Sequence, residues 1–72
     1  MEGLSRDLDP KYLTLAGAIK MAAYLLRLND LPAMARFRQR EQDGLRRKEV
    51  LDVVEQNLTI LEANALQVGP HD

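Results

Sequence analysis

Arg40-Glu41-Gln42-Asp43-Gly44-Leu45-Arg46-Arg47, residues 40–47, decides the fold of this chain. If Asp43-Gly44 is a turn, the chain has three helices. If it is not, one long helix follows the first, and the chain is a hairpin. Downstream, Leu51, Val54, Leu58, Leu61, Ala65 and Val68 repeat at heptad spacing. Carried backwards, that spacing lands on Arg47, Gly44, Arg40, Phe37 and Ala33. Three consecutive positions fail as an apolar seam. An uninterrupted helix would also hold an interior glycine, at a cost of about 1 kcal/mol relative to alanine. A break is therefore expected. The rival hairpin would leave its long arm partly uncovered and would force dimerisation.

Outward from the break, the rest reads as helix. Asp9-Pro10 is a helix start, with Asp as cap and Pro at the first helical position. The first helix is expected over about 10–28. Asn29-Asp30 closes it and caps the next, since Asn tolerates the left-handed closing conformation. The second helix is expected over about 31–42, with Leu31, Met34 and Phe37 as its core contacts and Arg36, Gln39, Arg40 and Asp43 opposite. The third is expected over about 46–67, ended by Gly69-Pro70. Val50, Val53 and Val54 sit at helical spacing, so no strand is expected. The fold class is all-α: a small three-helix domain spanning 1–72, with a flexible lead 1–8 and a tail 69–72, and a helical-bundle homodimer as its assembled form.

Dimerisation is expected from size. A 72-residue chain has room for one marginal core. It has no Cys to staple it, and its single His, His71, offers no zinc cluster. No metal and no cofactor are expected. The first predicted helix is apolar on nearly every side, more than two short neighbours can enclose. The residues expected to mediate self-association are Ala16, Ile19, Ala22, Ala23 and Leu26 of the first helix and Leu51, Val54, Leu58 and Leu61 of the third. Asn57-Leu58-Thr59 matches a glycosylation acceptor, but inside a helix, and with no secretion signal expected, it carries nothing.

Charge is laid out unevenly. Residues 36–48 hold Arg36, Arg38, Arg40, Arg46, Arg47 and Lys48 against Glu41 and Asp43, six minus two, or +4. Residues 49–72 hold Glu49, Asp52, Glu55, Glu62 and Asp72 with no Lys or Arg, or −5. Arg36, Arg38 and Arg40 suit the C-terminal end of the second helix. Arg46, Arg47 and Lys48 open the third helix with the wrong sign, by ~0.3–1 kcal/mol per surface charge. Lys48–Asp52 is a compensating i,i+4 pair. The partner-binding residues expected on this basic elbow are Arg36, Arg40, Arg46, Arg47 and Lys48. The acidic third of a second copy is the economical partner for them.

These features predict a non-enzymatic protein–protein interaction module, an adaptor, small chaperone or inhibitor of phage or bacterial type, acting as a homodimer on a larger protein. No nucleophile, base and orienter can be assembled, so catalysis is not expected. Mean composition, 46% hydrophobic and 29% charged, is that of a globular chain. Its longest apolar stretch, Tyr12 to Leu28, is too interrupted to span a bilayer. No membrane association and no small-molecule substrate are expected, and the cytoplasm is the default location. The alternative is nucleic-acid binding through Arg46, Arg47 and Lys48. It fits a helix–turn–helix poorly. The position four before the turn glycine, usually Ala, is Arg40, and the residue before the glycine, usually apolar, is Asp43. The pI near 5.7 is also low for that role.

Overall fold

A computed structural model describes residues 8–68, and side chains through Leu66. The chain is all-helical there, with no strand among the described residues. One 3-10 turn, Pro10–Tyr12, precedes three α-helices: α1 (Leu15–Arg27), α2 (Leu31–Asp43) and α3 (Lys48–Val68). Each helix packs against the other two. The break at Gly44 is real, so the hairpin is excluded. Most of the lead 1–8, Val68's side chain, the tail 69–72 with His71, and the Gly69-Pro70 stop lie outside the described residues.

The first helix starts later than expected. Asp9 does cap, accepting from the Lys11 amide at 3.0 Å, but only a single turn follows. Leu13 and Thr14 are extended, and Thr14 is the cap of α1, its hydroxyl accepting the Gly17 amide at 3.0 Å. The interruption has a tertiary cause: the Pro10 and Leu13 carbonyls both take hydrogen bonds from Arg47.

The turns follow local chemistry in one case and defy it in the other. Asn29 takes φ 57°. Its amide donates to Leu26 and that of Asp30 to Leu25, which satisfies two terminal carbonyls of α1. Asp30 then caps α2 through the Ala33 amide at 3.1 Å. At the second turn the left-handed residue is Arg46, at φ 53°, while Gly44 has φ −108°. Space favours glycine at 44: a Cβ there would stand 3.1 Å from the Arg40 carbonyl, a tight contact.

The core is a single cluster. Ala18, Met21, Ala22 and Leu25 come from α1, Ala33, Met34 and Phe37 from α2, and Val50, Val54 and Leu61 from α3. Leu8, from the lead, packs against it. On α3 the buried stripe runs Val50, Val54, Asn57, Leu61, so it is rotated from the expected seam. Leu51 and Leu58 are half-buried, and Ala65 is exposed.

Candidate interaction surface

The elbow between α2 and α3 is organised around a buried carboxylate. Met34, Phe37 and Glu41 follow helical 3-4 spacing and all three are buried, Glu41 at 1% exposure. A lone buried carboxylate would be too costly to keep ionised, so it needs a paired cation. Arg47 supplies one. Its Nε donates to Glu41 Oε2 at 2.9 Å and its Nη2 to Oε1 at 2.9 Å, a two-pronged pair. The Arg47 backbone amide adds a third bond to Oε2 at 2.8 Å. The rest of the guanidinium reaches Leu13 O at 2.8 Å and Pro10 O at 2.9 Å. One side chain thus ties the pre-α1 turn, the end of α2 and the start of α3 together.

This corrects the electrostatic reading of α3. Arg46 and Arg47 precede the helix, which starts at Lys48, and Arg47 O accepts the first amide, from Leu51. The acid that the positive end of α3 calls for comes from α2, as Glu41. Arg47 was expected on a contact surface and is instead an internal clamp, with its side chain 17% exposed.

Glu41 titrates below the ordinary glutamate value. The hydrogen bond from the Arg47 guanidinium is the main cause, burial opposes it, and the Arg47 amide and charge help. A carboxyl whose folded pKa is depressed stabilises the fold above its unfolded pKa, about 4.3, and loses that contribution as pH falls through the folded value. The urea midpoint is therefore expected to fall below about pH 4. In Glu41→Gln the slope of that fall should be shallower. An unchanged slope would mean that other carboxyls carry the acid sensitivity.

The other elbow cations divide. Arg38 Nε meets Glu55 Oε2 at 3.3 Å, and Lys48 Nζ meets Asp52 Oδ2 at 2.9 Å. Both pairs are exposed, so solvent screens them and they add little to stability. They show that part of the acidic third is spent on the basic elbow of the same chain. Arg46 is exposed, its Nε bonded to the Gln42 carbonyl at 3.0 Å. Arg36 is exposed and Arg40 half-buried. Arg40 lines an open cleft with Asp9, Lys11, Asp43 and Gly44, of about 230 Å³. Its lining carries both signs of charge and no hydrophobic or aromatic residue, unlike the mostly apolar pockets that take small molecules. No group of His, Cys, Asp or Glu able to hold a metal occurs among the described residues. No described helix is long and apolar enough to cross a membrane.

The residues expected to mediate self-association also divide. Ala22, Val54 and Leu61 belong to the core of the single chain, because α1 and α3 pack directly on one another there. Asn57, buried on α3, marks that contact by donating to the Ala22 carbonyl at 3.2 Å. Ala16 and Ala23 are exposed, and Ile19, Leu26, Leu51 and Leu58 are half-buried. Leu15, Leu28, Leu45, Ile60 and Leu66 add further exposed apolar surface.

Sequence reasoning missed Glu41 and Asn57. The signal for Glu41 was present: it continues the buried Met34-Phe37 spacing as a lone acid. Asn57 likewise interrupts an apolar stripe at core spacing. Compared with known proteins, the chain matches no family model, no curated protein and no solved structure.

Proposed function

We propose that the chain is a non-enzymatic protein–protein interaction module that works as a helical homodimer and binds a larger protein. The observation that supports this is uncovered apolar surface. Leu15, Ile60 and Leu66 are 40%, 46% and 77% exposed in a chain of only 72 residues. Ile19 and Leu26 of α1 are half-buried. Small domains rarely stabilise themselves fully with one core, and burying these side chains against a second copy would supply ~25 cal/mol per Å² covered. Nucleic-acid binding loses support because Arg47, Arg38 and Lys48 already have carboxylate partners within the chain.

Sedimentation equilibrium at tens of micromolar tests the dimer. The expected mass is twice 8.2 kDa. A sharp single-chain mass would overturn it.

A further inference from the structure

We propose that residues 9–14 form a strap with two settings, and that protonation of Glu41 releases it from α2 to become the first turn of a longer α1.

The two settings compete for the same two carbonyls. Asp9 with Pro10 is a complete helix start, and a helix begun there would run unbroken into α1. Its i→i−4 bonds would take the Thr14 amide to Pro10 O and the Gly17 amide to Leu13 O. In the structure Arg47 occupies both acceptors. Its Nη2 donates to Pro10 O at 2.9 Å and its Nη1 to Leu13 O at 2.8 Å. The Gly17 amide goes instead to the Thr14 hydroxyl, and Thr14 starts α1 afresh. Both carbonyls thus have partners in either setting. Held, the strap lies over the end of α2. Pro10 is buried there, and a Cβ on Gly44 would stand 3.7 Å from that of Lys11.

The hold depends on the charge of Glu41. The Arg47 side chain is 17% exposed, and this carboxylate balances it. Once Glu41 takes a proton, the guanidinium is a largely buried cation without a counter-charge, and solvation draws it outward from Pro10 and Leu13. The hydrogen bond from Arg47 holds the Glu41 carboxyl below its usual range, while burial and the charge of Asp9 oppose this. A depressed folded pKa keeps the strap held above the ordinary glutamate value, about 4.3, and gives it up as pH falls through the folded value. The other charged groups at this end are Lys11 on the strap, Arg40 and Asp43 on α2, and Arg46, Lys48 and Glu49 around the start of α3. Arg38 and Lys48 are paired with Glu55 and Asp52. The ionisable groups of α1, Lys20, Tyr24 and Arg27, lie beyond its first turn. Released, the strap uncovers Glu41 and sets Tyr12 one turn ahead of Leu15.

Glu41→Gln keeps the shape of the side chain and removes its charge, so it tests the release directly. Cα chemical shifts in isotope-labelled protein read the strap residue by residue. In the parent at neutral pH, Leu13 and Thr14 should show extended shifts, matching their ψ of 147° and 169°. In Glu41→Gln at the same pH, residues 11–14 should turn helical, with a nuclear Overhauser contact from Tyr12 Hα to Leu15 Hβ. The parent should make the same change on acidification below about pH 4, while the amides of Ala22 and Val54 keep their folded shifts. If Glu41→Gln does not fold, Glu41→Met with Arg47→Leu, which removes both charges, takes its place. Extended shifts retained at 13 and 14 in the variant would show that the Thr14 cap alone sets the break, and would overturn the strap. So would a segment that frays to coil without turning helical, or one that changes only as the whole core unfolds.

Discussion

Arg47→Leu is expected to destabilise the chain by ~3–5 kcal/mol, the cost of removing one partner from a buried pair. A domain of this length holds about 4–11 kcal/mol in total. The variant should therefore be partly unfolded in water, with its urea transition lost or moved close to zero denaturant. The size of the effect comes from what is left behind. Glu41, 1% exposed, would lose the guanidinium that keeps it ionised. The carbonyls of Pro10 and Leu13 would lose a donor as well. Arg47→Lys keeps the charge but not the planar fork, so an intermediate loss is expected. Glu41→Met combined with Arg47→Leu removes the orphaned acid and should recover part of the loss. It should not recover all, because the Leu13 carbonyl loses its donor, at ~1–3 kcal/mol if it remains buried, while Pro10 O keeps the Leu13 amide. A loss below ~1 kcal/mol for Arg47→Leu alone would show that the pair is no more than a surface ion pair.

The same clamp marks where sequence reasoning stops. The three helices, the break at Gly44 and the left-handed Asn29 are local matters, set by periodicity, caps and turn chemistry, and they were legible. Met34 and Phe37 were legible as core from the helical repeat, whereas Ala22, Val54 and Leu61 carry the same repeat and were expected at a dimer contact instead. The start of α1 was not. Asp9-Pro10 is a sound local signal, but the carbonyls that would continue its helix are drawn to an arginine 34 and 37 residues away. No window of sequence contains both ends of such a bond. The charge pattern was legible as a pattern and not as a set of partners. Arg46-Arg47-Lys48 looked like a cluster opposing the dipole of α3, yet its members have three different neighbours: Gln42, Glu41 and Asp52. Counting charges by segment ignores which face of which helix each one occupies, and the face decides whether a cation meets solvent, its own chain or another.

Phe37→Ala is expected to cost ~3–5 kcal/mol, by the loss of a buried aromatic and the cavity it leaves. Phe37 is 1% exposed and the largest fully buried side chain of the chain. α2 is mostly polar, and its other buried side chains are Ala33, Met34 and the charged Glu41. Without Phe37, α2 would be held to the core mainly by Met34, Ala33 and the clamp at its C-terminal end. The clamp would weaken in turn, because Glu41 lies one helical turn from the cavity and water entering there would solvate the pair. Coupling between the two sites is therefore expected. The loss for Phe37→Ala should be smaller on the background of Glu41→Met with Arg47→Leu than on the parent, and a double-mutant cycle in urea measures the difference. Phe37→Leu keeps most of the volume and should cost clearly less than Phe37→Ala. Strict additivity in the cycle would mean that the apolar core and the buried ion pair stabilise this fold independently.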